Sequence, residues 1–357
     1  LAGMGTGLIG DPSGKSKERN LLTIEKVKQN VEGVKKQLTS FLDFDCGDNS
    51  AVLINNYDWL SELTFLEVLR DVGKHFSINA MVSREYVKSR LEDPDKSISY
   101  TEFSYVLLQA YDFLHLYKNY GCKLQMGGND QQGNIISGVD LVRKKTGGEV
   151  FGATQPLLLT SSGTKFGKTE EGAVWLDPAR TSPYKFYQFW VNVEDQSVEK
   201  LLKLFTFLSI EEISGIMKLH NQSPHLREAQ RRLAYEVTTI VHGAKSAETV
   251  KKASGILFGD SFEPKELSAD MLDILADEVP TGPASRNFPV PLVDLLATAG
   301  ACSSKSEVRR LIKGGGLYIN GDRIEDDARE VSENDVLAQR YIFARLGKKR
   351  FFMVLFQ

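Results

Sequence analysis

The first residues of the chain form a glycine-rich segment, GMGTGLIGDPSGKSK at 3–17, whose chemistry suits a phosphate. Glycine-rich turns expose backbone N–H groups that bind phosphate oxygens, and Lys15 and Arg19 bring positive charge to this segment. The segment contains G-x-G-x-x-G, but a dinucleotide site needs a hydrophobic strand before the glycines, where only Leu1 and Ala2 stand. It is also one residue short of the P-loop spacing G-x-x-x-x-G-K. The segment therefore predicts phosphate binding through its cations, with a solvent-exposed basic loop as the alternative.

A second group of polar residues lies in an otherwise apolar segment, FSYVLLQAYDFLHLY at 103–117. Tyr105, Gln109 and Asp112 are four and three residues apart, so a helix places them on one face. Because this helix is apolar nearly all round, we expect it to be buried, and a buried carboxylate needs a hydrogen-bond donor or a cation. The polar face indicates either an internal hydrogen-bond network or the wall of a pocket for a small zwitterion or a hydroxyl group.

Two further polar residues, Asp130 and Gln131, follow a strand-like stretch at 122–126 in the motif GGNDQQGN. Loops at the carboxyl ends of parallel strands are where α/β folds bind ligands. Asp130 and Gln131 therefore predict a binding site at the same end of the sheet.

The segment SSGTKFGKTEEG at 161–172 carries two lysines, Lys165 and Lys168, followed by Thr169. A mobile loop of this composition can close two ammonium groups over a polyphosphate in a transition state. The alternative is an exposed hairpin tip.

A basic unit lies near the end of the chain, SSKSEVRRLIKGGGLYINGDRI at 303–324. Ser304 and Glu307 fit a capping box that begins a short helix, and Asn320 with the glycine after it predicts a hairpin turn. Basic residues on a small helix–hairpin unit suit contacts with the phosphates of structured RNA, and a solvated helix is the alternative. The basic residues in question are Arg309, Arg310 and Lys313.

These side chains must be positioned by alternating helices and strands, which predict an α/β fold with a parallel sheet. From 182 to 277 the pattern is mostly helical, and PTGPASRNFP at 280–289 has the composition of a linker before a compact α+β segment. In the first part, the periodicity predicts helices at 23–41, 61–72, 83–91, 101–118 and 134–145, and strands at 51–55 and 122–126.

Composition excludes several classes of protein. A net charge of −3 over 357 residues does not indicate a generally basic nucleic-acid binder. The three cysteines form neither a zinc motif nor a disulfide framework, so we expect no tightly bound metal and a reducing compartment. No apolar run approaches 18 residues, so we expect no membrane partner.

Taken together, eight motifs resemble bacterial-type tyrosyl-tRNA synthetases, in order along the chain. KFGKT resembles that family's form of the class I Lys-Met-Ser-Lys-Ser loop. The motifs are GLIGDPSGK, NNYDWL, RDVGKHF, TEFSY, LQAYDF, GGNDQQGN, KFGKT and TSPYKFYQFW. The resemblance implies a Rossmann-type catalytic domain at 1–181, a helical anticodon-side domain at 182–279, a linker at 280–288 and, at 289–357, an RNA-binding domain shared with a ribosomal small-subunit protein.

The resemblance also implies the chemistry and the role of each site residue. Tyrosine and ATP would form tyrosyl-adenylate and pyrophosphate, and the tyrosyl group would pass to the 3′ end of tRNA(Tyr). Mg²⁺ would enter as the counter-ion of ATP, and the enzyme would be a homodimer. Asp112 would accept a hydrogen bond from the phenol, while Asp11, Tyr105 and Gln109 would surround the ammonium group. Asn56 and Gln131 would line the pocket, Asp130 would lie near the ribose, and the residues gripping the pyrophosphate would be Lys15, Arg19, Lys165, Lys168 and Thr169.

One departure from the family concerns its His-Ile-Gly-His-type signature, which none of the five histidines of the chain belongs to. We expect the segment with this signature to precede Leu1, and the chain as given not to form tyrosyl-adenylate at a normal rate. The alternative is a non-catalytic RNA-binding protein derived from a synthetase. A third reading, an NAD-dependent dehydrogenase, would require nicotinamide binding. The motifs suggest a bacterial cytoplasm, with a mitochondrial or plastid matrix as the alternative.

Overall fold

The computed structural model describes residues 1–12, 22–93, 97–159, 166–169, 172–258, 267–347 and 350–357. The chain forms two compact units, Leu1–Gly167 and Lys168–Gln357. Among the described helices, none has the length and apolar character needed to cross a membrane.

The first unit combines helices with a short parallel sheet. Its strands are β1 (Leu124–Gly128) and β2 (Phe151–Gln155), which pair in parallel as the α/β prediction requires. Its α-helices are α1 (Met4–Ile9), α2 (Ile24–Leu38), α3 (Tyr57–Leu60), α4 (Phe65–Glu67), α5 (Ile78–Val82), α6 (Glu85–Leu91), α7 (Tyr100–Tyr120) and α8 (Gln132–Thr146). A π-helical turn at Val68–Val72 continues α4, and 3-10 turns lie at Gly47–Asn49, Gly73–His75 and Asn129–Gln131.

Helix α7 is the central element of this unit, and local signals define both of its ends. The side chain of Ser99 accepts a hydrogen bond from the backbone N–H of Glu102, and the helix stops at Gly121, which adopts φ 64°. Buried apolar residues then hold α7 against its neighbours. They are Val72, Met81, Val106, Leu107, Ala110, Phe113, Leu114, Leu141, Val142 and Val150.

Helix α8 approaches α7 closely because it carries Gly138 at the contact. A Cβ atom at Gly138 would lie 2.9 Å from the ring of Phe113, which is fully buried. A side chain there would therefore push the two helices apart. The close contact fixes α7 relative to the loop that precedes α8.

The prediction of a strand at 51–55 is wrong, because this segment forms one isolated β-bridge and no β-ladder. Among the described residues only Ala2 pairs with it, through a parallel bridge to Asn55. The backbone N–H of Ala2 donates to the carbonyl of Ile54, and that of Asn56 donates back to Ala2. An apolar run predicts an extended segment, but a β-ladder also needs a partner strand along its whole length. Among the described residues, Leu1–Gly3 pairs with this segment through Ala2 alone.

The second unit contains the remaining described helices and three sets of paired strands. The helices are α9 (Pro183–Val191), α10 (Asp195–Phe205), α11 (Ile210–Gln222), α12 (Glu228–His242), α13 (Ala244–Phe258), α14 (Ala269–Glu278), α15 (Leu292–Thr298) and α16 (Lys305–Lys313). The strands are β3 (Lys168–Thr169), β4 (Gly172–Ala173), β5 (Thr281–Ala284), β6 (Val290–Pro291), β7 (Leu317–Ile319), β8 (Asp322–Arg323), β9 (Glu330–Val331), β10 (Tyr341–Leu346) and β11 (Arg350–Phe356). Short 3-10 turns lie at Pro224–Leu226 and Glu333–Asp335.

A five-stranded sheet in the order β5-β11-β10-β7-β8 forms the end of this unit, with α15 and α16 sharing its apolar core. The predicted hairpin is confirmed: β7 and β8 pair in antiparallel, and Asn320 and Gly321 between them both have positive φ, 53° and 98°.

The predicted linker at 280–288 is wrong for its first half. Residues Thr281–Ala284 form the edge strand β5, which pairs in parallel with β11. Pro283 lacks a backbone N–H, so a proline is compatible with an edge strand, where one side of the strand makes no ladder. The composition of the segment is typical of a linker, although Thr281–Ala284 belongs to the sheet.

A buried ion pair joins α6 to α7 and generates the first prediction. The guanidinium of Arg90 makes two hydrogen bonds to the carboxylate of Glu102, at 2.8 and 3.1 Å, and its Nε donates to the carbonyl of Ser97 at 2.9 Å. Both side chains are almost fully buried, at 4% and 2% exposure. We expect Glu102→Ala to lower the free energy of unfolding by about 3–5 kcal/mol, because it leaves a buried cation without its partner.

Urea denaturation measures this change, and Glu92→Ala is the matched control. Glu92 pairs with Lys88 at 3.7 Å beside the same helix, but both side chains are more than half exposed. Removing that pair should change stability by about 0.5 kcal/mol or less. Equal effects of the two substitutions would contradict a structural role for the buried pair.

Candidate active site

The carboxylate of Asp112 lies at the centre of a buried polar cluster. Asp112 is 1% exposed and projects from the middle of α7. The indole Nε1 of Trp59 donates to its Oδ1 at 2.8 Å, and the amide Nδ2 of Asn56 donates to its Oδ2 at 2.8 Å. Both donors are neutral, and each oxygen keeps capacity to accept a further hydrogen bond.

Burial raises the pKa of Asp112 to about 6, and this effect exceeds the lowering caused by the hydrogen bonds from Asn56 and Trp59. The group is therefore a carboxylate near neutral pH, held at a cost in solvation that a further donor would offset. A buried acceptor of this kind suits a ligand that brings a hydroxyl group.

Asn56 ties the glycine-rich start of the chain to Asp112. The side chain of Asn56 is fully buried; its Oδ1 accepts the backbone N–H of Gly5 at 2.7 Å, and its Nδ2 lies 3.0 Å from Oγ1 of Thr6. A Cβ at Gly5 would lie 3.0 Å from the side chain of Leu60, so the glycine lets α1 approach α3 closely. One amide thus holds two distant segments against the carboxylate.

A second set of polar groups lies one turn earlier on α7. Gln109 donates through Nε2 to Oε1 of Gln131 at 3.2 Å, and Gln131 donates through its own Nε2 to Oδ2 of Asp11 at 2.6 Å. Oε1 of Gln109 is buried and accepts no hydrogen bond from the residues that the structure describes. The set therefore offers a carboxylate and a free amide oxygen as acceptors beside Asp112.

The structure brings together most of the residues that the sequence assigned to the pocket. Tyr105, Gln109 and Asp112 share one face of α7, and Tyr105 is buried at 9% exposure. Asp11, Asn56 and Gln131 reach this face from three other segments, while Asp130 is exposed and contacts Gln131 at 3.4 Å.

The cationic residues of the two loops are only partly described. Lys15, Arg19 and Lys165 lie outside the described residues. The backbone of Lys168 and Thr169 forms β3, which pairs with β4, but the positions of their side chains are not among the described features. Their grip on a leaving group remains a prediction.

Sequence reasoning missed Trp59, although its indole makes one of the two bonds to Asp112. The available signal was its position three residues after Asn56 in NNYDWL, which places both side chains on one side of a helical turn. A tryptophan in an apolar context gives no indication of which acceptor its single N–H will find.

The basic helix α16 carries Arg309, Arg310 and Lys313 in exposed positions. Arg309 lies 3.7 Å from the carboxylate of Asp327, and both of these side chains are more than half exposed. The described residues provide no ion-pair partner for Arg310 or Lys313. This helix therefore presents positive charge to solvent.

The capping box predicted for α16 is only half formed. Ser304 accepts the backbone N–H of Glu307, as predicted. The carboxylate of Glu307 instead accepts from the backbone N–H and hydroxyl of Ser303, at 2.9 and 2.7 Å, and from Arg350. These donors lower the pKa of Glu307 to about 2. The spacing could not reveal that Ser303 and Arg350 compete for the same carboxylate.

Comparison with known proteins agrees with this architecture. The family described as class I tRNA synthetases (W and Y) matches residues 1–259, and the C-terminal domain described as tyrosine–tRNA ligase SYY-like matches residues 271–354. Tyrosine–tRNA ligases of Roseiflexus castenholzii and Anaeromyxobacter dehalogenans are 48% and 49% identical, over 99% of this chain and 84% of each relative.

A solved structure is also similar to this chain. A C-terminally truncated mitochondrial tyrosyl-tRNA synthetase from Aspergillus nidulans is 37% identical, with a TM-score of 0.61 over 72% of this chain and 75% of that one. The chain therefore belongs to the tyrosine–tRNA ligase family of class I aminoacyl-tRNA synthetases. Within the described ranges, no group of three or more His, Cys, Asp or Glu side chains is placed to hold a metal ion.

The raised pKa of Asp112 generates the second prediction. Its folded-state pKa of about 6 lies above the reference value of 3.8, so the folded protein binds this proton more tightly than the unfolded chain does. The contribution of Asp112 to the free energy of unfolding should therefore fall as pH rises from about 4 to about 6, by roughly 3 kcal/mol. Above pH 6 the contribution stays at its lower value.

Urea denaturation between pH 4 and 7.5 measures this effect on the wild type and on Asp112→Asn, which cannot titrate. The difference in stability between the two should change across this window in favour of the Asn variant. Asp140→Asn, at an exposed carboxylate that contacts Arg143 on α8, is the control and should follow the wild-type pH dependence. Parallel curves for wild type and Asp112→Asn would contradict the raised pKa.

Proposed function

We propose that this chain is a tyrosine–tRNA ligase that activates tyrosine with ATP and transfers the tyrosyl group to the 3′ end of tRNA(Tyr). The observation that supports this most directly is the buried Asp112 carboxylate, whose two oxygens each accept a hydrogen bond from a neutral donor, Asn56 or Trp59. A phenol hydroxyl is a donor of the size and polarity that such an acceptor lacks. The family to which the chain belongs supports the same reaction.

Recognition of the phenol would follow from hydrogen-bond accounting. The para-hydroxyl of tyrosine would donate to Asp112, while phenylalanine would leave the buried carboxylate without that donor. Leaving a buried charged acceptor unsatisfied is costly, so the site would reject phenylalanine even though the two substrates have nearly the same shape.

Recognition of the amino acid backbone would fall to the second polar set. Asp11 would attract the substrate ammonium group, and the free Oε1 of Gln109 and the hydroxyl of Tyr105 would accept its remaining N–H bonds. Gln131, which bridges Gln109 and Asp11, would stand near the substrate carboxylate. The phenol end and the amino-acid end of the substrate would thereby be recognised one helical turn apart along α7.

The chemical step needs no protein nucleophile. The tyrosine carboxylate attacks the α-phosphorus of ATP, its bond to phosphorus forms, and the bond to the pyrophosphate oxygen breaks. Catalysis would consist of positioning and of neutralising charge on the departing pyrophosphate, with Mg²⁺ as the counter-ion of ATP and Asp130 near the ribose. The cations that would do so, with a neighbouring hydroxyl, are Lys15, Arg19, Lys165, Lys168 and Thr169.

For assembly, we propose a homodimer. The first unit exposes several large apolar side chains on α4, α5 and α7, and burial of such side chains between two copies would be favourable. Their exposures are 65% for Phe65, 77% for Leu66, 61% for Ile78 and 62% for Tyr100. We further propose a bacterial cytoplasm as the compartment, with a mitochondrial or plastid matrix as the alternative.

The third prediction tests substrate recognition. Titration calorimetry measures the dissociation constants of tyrosine and phenylalanine for the wild type and for Asp112→Ala. We expect the wild type to prefer tyrosine, and the substitution to reduce this preference by about 10- to 100-fold, the range for a hydrogen bond to a charged group. Tyrosine should bind more weakly, and phenylalanine should bind no more weakly than to the wild type, because the variant removes the buried carboxylate that phenylalanine leaves without a donor.

A matched control is Asp140→Asn, whose carboxylate lies on the exposed side of α8. It should preserve the preference for tyrosine. If Asp112→Ala kept the full preference, the assignment of Asp112 to the phenol would be wrong.

The fourth prediction concerns RNA. The double substitution Arg310→Ala and Lys313→Ala should weaken binding of tRNA(Tyr) and make it less dependent on salt, reducing the slope of log K against log [salt] by about 2. Filter binding at several salt concentrations measures both quantities.

Lys305→Ala is the control, because Lys305 lies on the same helix but its ammonium contacts Asp294 at 2.9 Å. It should change the salt slope less than the double variant does. An unchanged slope in the double variant would show that α16 does not contact RNA phosphates.

A further inference from the structure

We propose that His115 is a positioning residue for recognition of the substrate hydroxyl, acting through Trp59. This inference rests on the proposed function, because it concerns how the Asp112 site is held in its working geometry. His115 acts indirectly: its ring stacks on the indole of Trp59, and that indole donates to Asp112.

Two contacts restrain the indole of Trp59, one on its face and one at its edge. The imidazole of His115 stacks on the indole, with ring centroids 4.1 Å apart and planes inclined by 12°. The edge of the same indole donates Nε1–H to Oδ1 of Asp112 at 2.8 Å. Asp112 and His115 are three residues apart on α7, so one helix face supplies both the acceptor and the stacking ring.

Trp59 is held by this stack in addition to its hydrogen bond with Asp112. Its helix α3 has only four residues, and Asn56 at its N-cap position makes no side-chain capping bond. An indole carries a single N–H donor, and a hydrogen bond weakens steeply when the donor swings out of line. A stacked ring restricts rotation of the indole plane, so the N–H stays directed at Asp112.

The charge state of His115 suits this role. Burial lowers the pKa of His115, so its ring is neutral near neutral pH. The rings of Tyr111 and Tyr120 lie 6.5 and 6.4 Å from it. The stacking face therefore adds no cation that would compete with the substrate hydroxyl for the Asp112 carboxylate.

The consequence for specificity follows from the hydrogen-bond balance at Asp112. If the indole moved away, Oδ1 would be buried without its donor, and the carboxyl would bind a proton more readily. A protonated carboxyl is a poorer acceptor for a phenol. Loss of the stack should therefore appear as weaker preference for tyrosine over phenylalanine.

The experiment compares His115→Ala with His115→Phe, which restores a flat ring without imidazole nitrogens. The first readout is hydrogen exchange of the Trp59 indole N–H in ¹⁵N-labelled full chain, assigned with Trp59→Phe. It needs no ligand. The second readout is the ratio of the phenylalanine and tyrosine dissociation constants by calorimetry.

We expect His115→Ala to speed exchange of the Trp59 N–H and to lower the ratio, each by about three- to tenfold, as loss of an aromatic stack implies. His115→Phe should stay within about twofold of wild type in both. Lys118→Ala, at an exposed position on the same helix, is the matched control and should leave both unchanged.

Two results would overturn the proposal: His115→Ala without effect on exchange or on the ratio, or His115→Phe as impaired as His115→Ala. The second result would mean that the imidazole nitrogens, and not the stack, are required. If Asp112→Ala also leaves the ratio unchanged, the proposed recognition of the phenol fails instead. In that case, hydrogen exchange of the Trp59 indole N–H still tests whether the His115 ring restrains the indole.

Discussion

The burial of one negative charge, on Asp112, is the constraint on which the site and much of the first unit depend. A carboxylate in the interior is unfavourable unless donors surround it, and Asn56 and Trp59 supply two of them from segments more than fifty residues away along the chain. Asn56 in turn binds the backbone of Gly5, so the glycine-rich start of the chain is held by the same amide. Packing of α1 and α3 against α7 is therefore coupled to the hydrogen bonding of the buried Asp112 carboxylate.

Helix α7 contains two buried carboxylates with opposite consequences. Glu102 is matched by the guanidinium of Arg90, whose two parallel hydrogen bonds neutralise it internally. Among the described residues, Asp112 receives hydrogen bonds from neutral donors alone, so its charge is not cancelled, and burial raises its pKa. An internally neutralised pair joins elements, whereas an acceptor left with spare lone pairs is available to a ligand. The type of donor, cationic or neutral, therefore distinguishes the two buried carboxylates.

Much of this could be predicted from sequence where the signal is local. The spacing of Tyr105, Gln109 and Asp112 placed them on one face because a helix has a fixed period, and the hairpin at Asn320 follows from backbone preference. Non-local choices could not be predicted. Whether 51–55 forms a ladder depends on its neighbours, the edge strand Thr281–Ala284 depends on β11, and the partner of the Trp59 N–H depends on how α3 meets α7.

The order of groups along α7 also decides which end of a ligand each part of the site can accept. Gln109 connects through Gln131 to Asp11, a carboxylate that is only partly buried and can meet a hydrated ammonium group at modest cost. Asp112, three residues later and about 5 Å further along the helix axis, is fully enclosed and admits only a small neutral donor. A cation would need to lose its whole hydration shell to reach it. Under the proposed function, this difference in burial along one helix face would orient tyrosine with its hydroxyl at Asp112 and its ammonium group near Asp11.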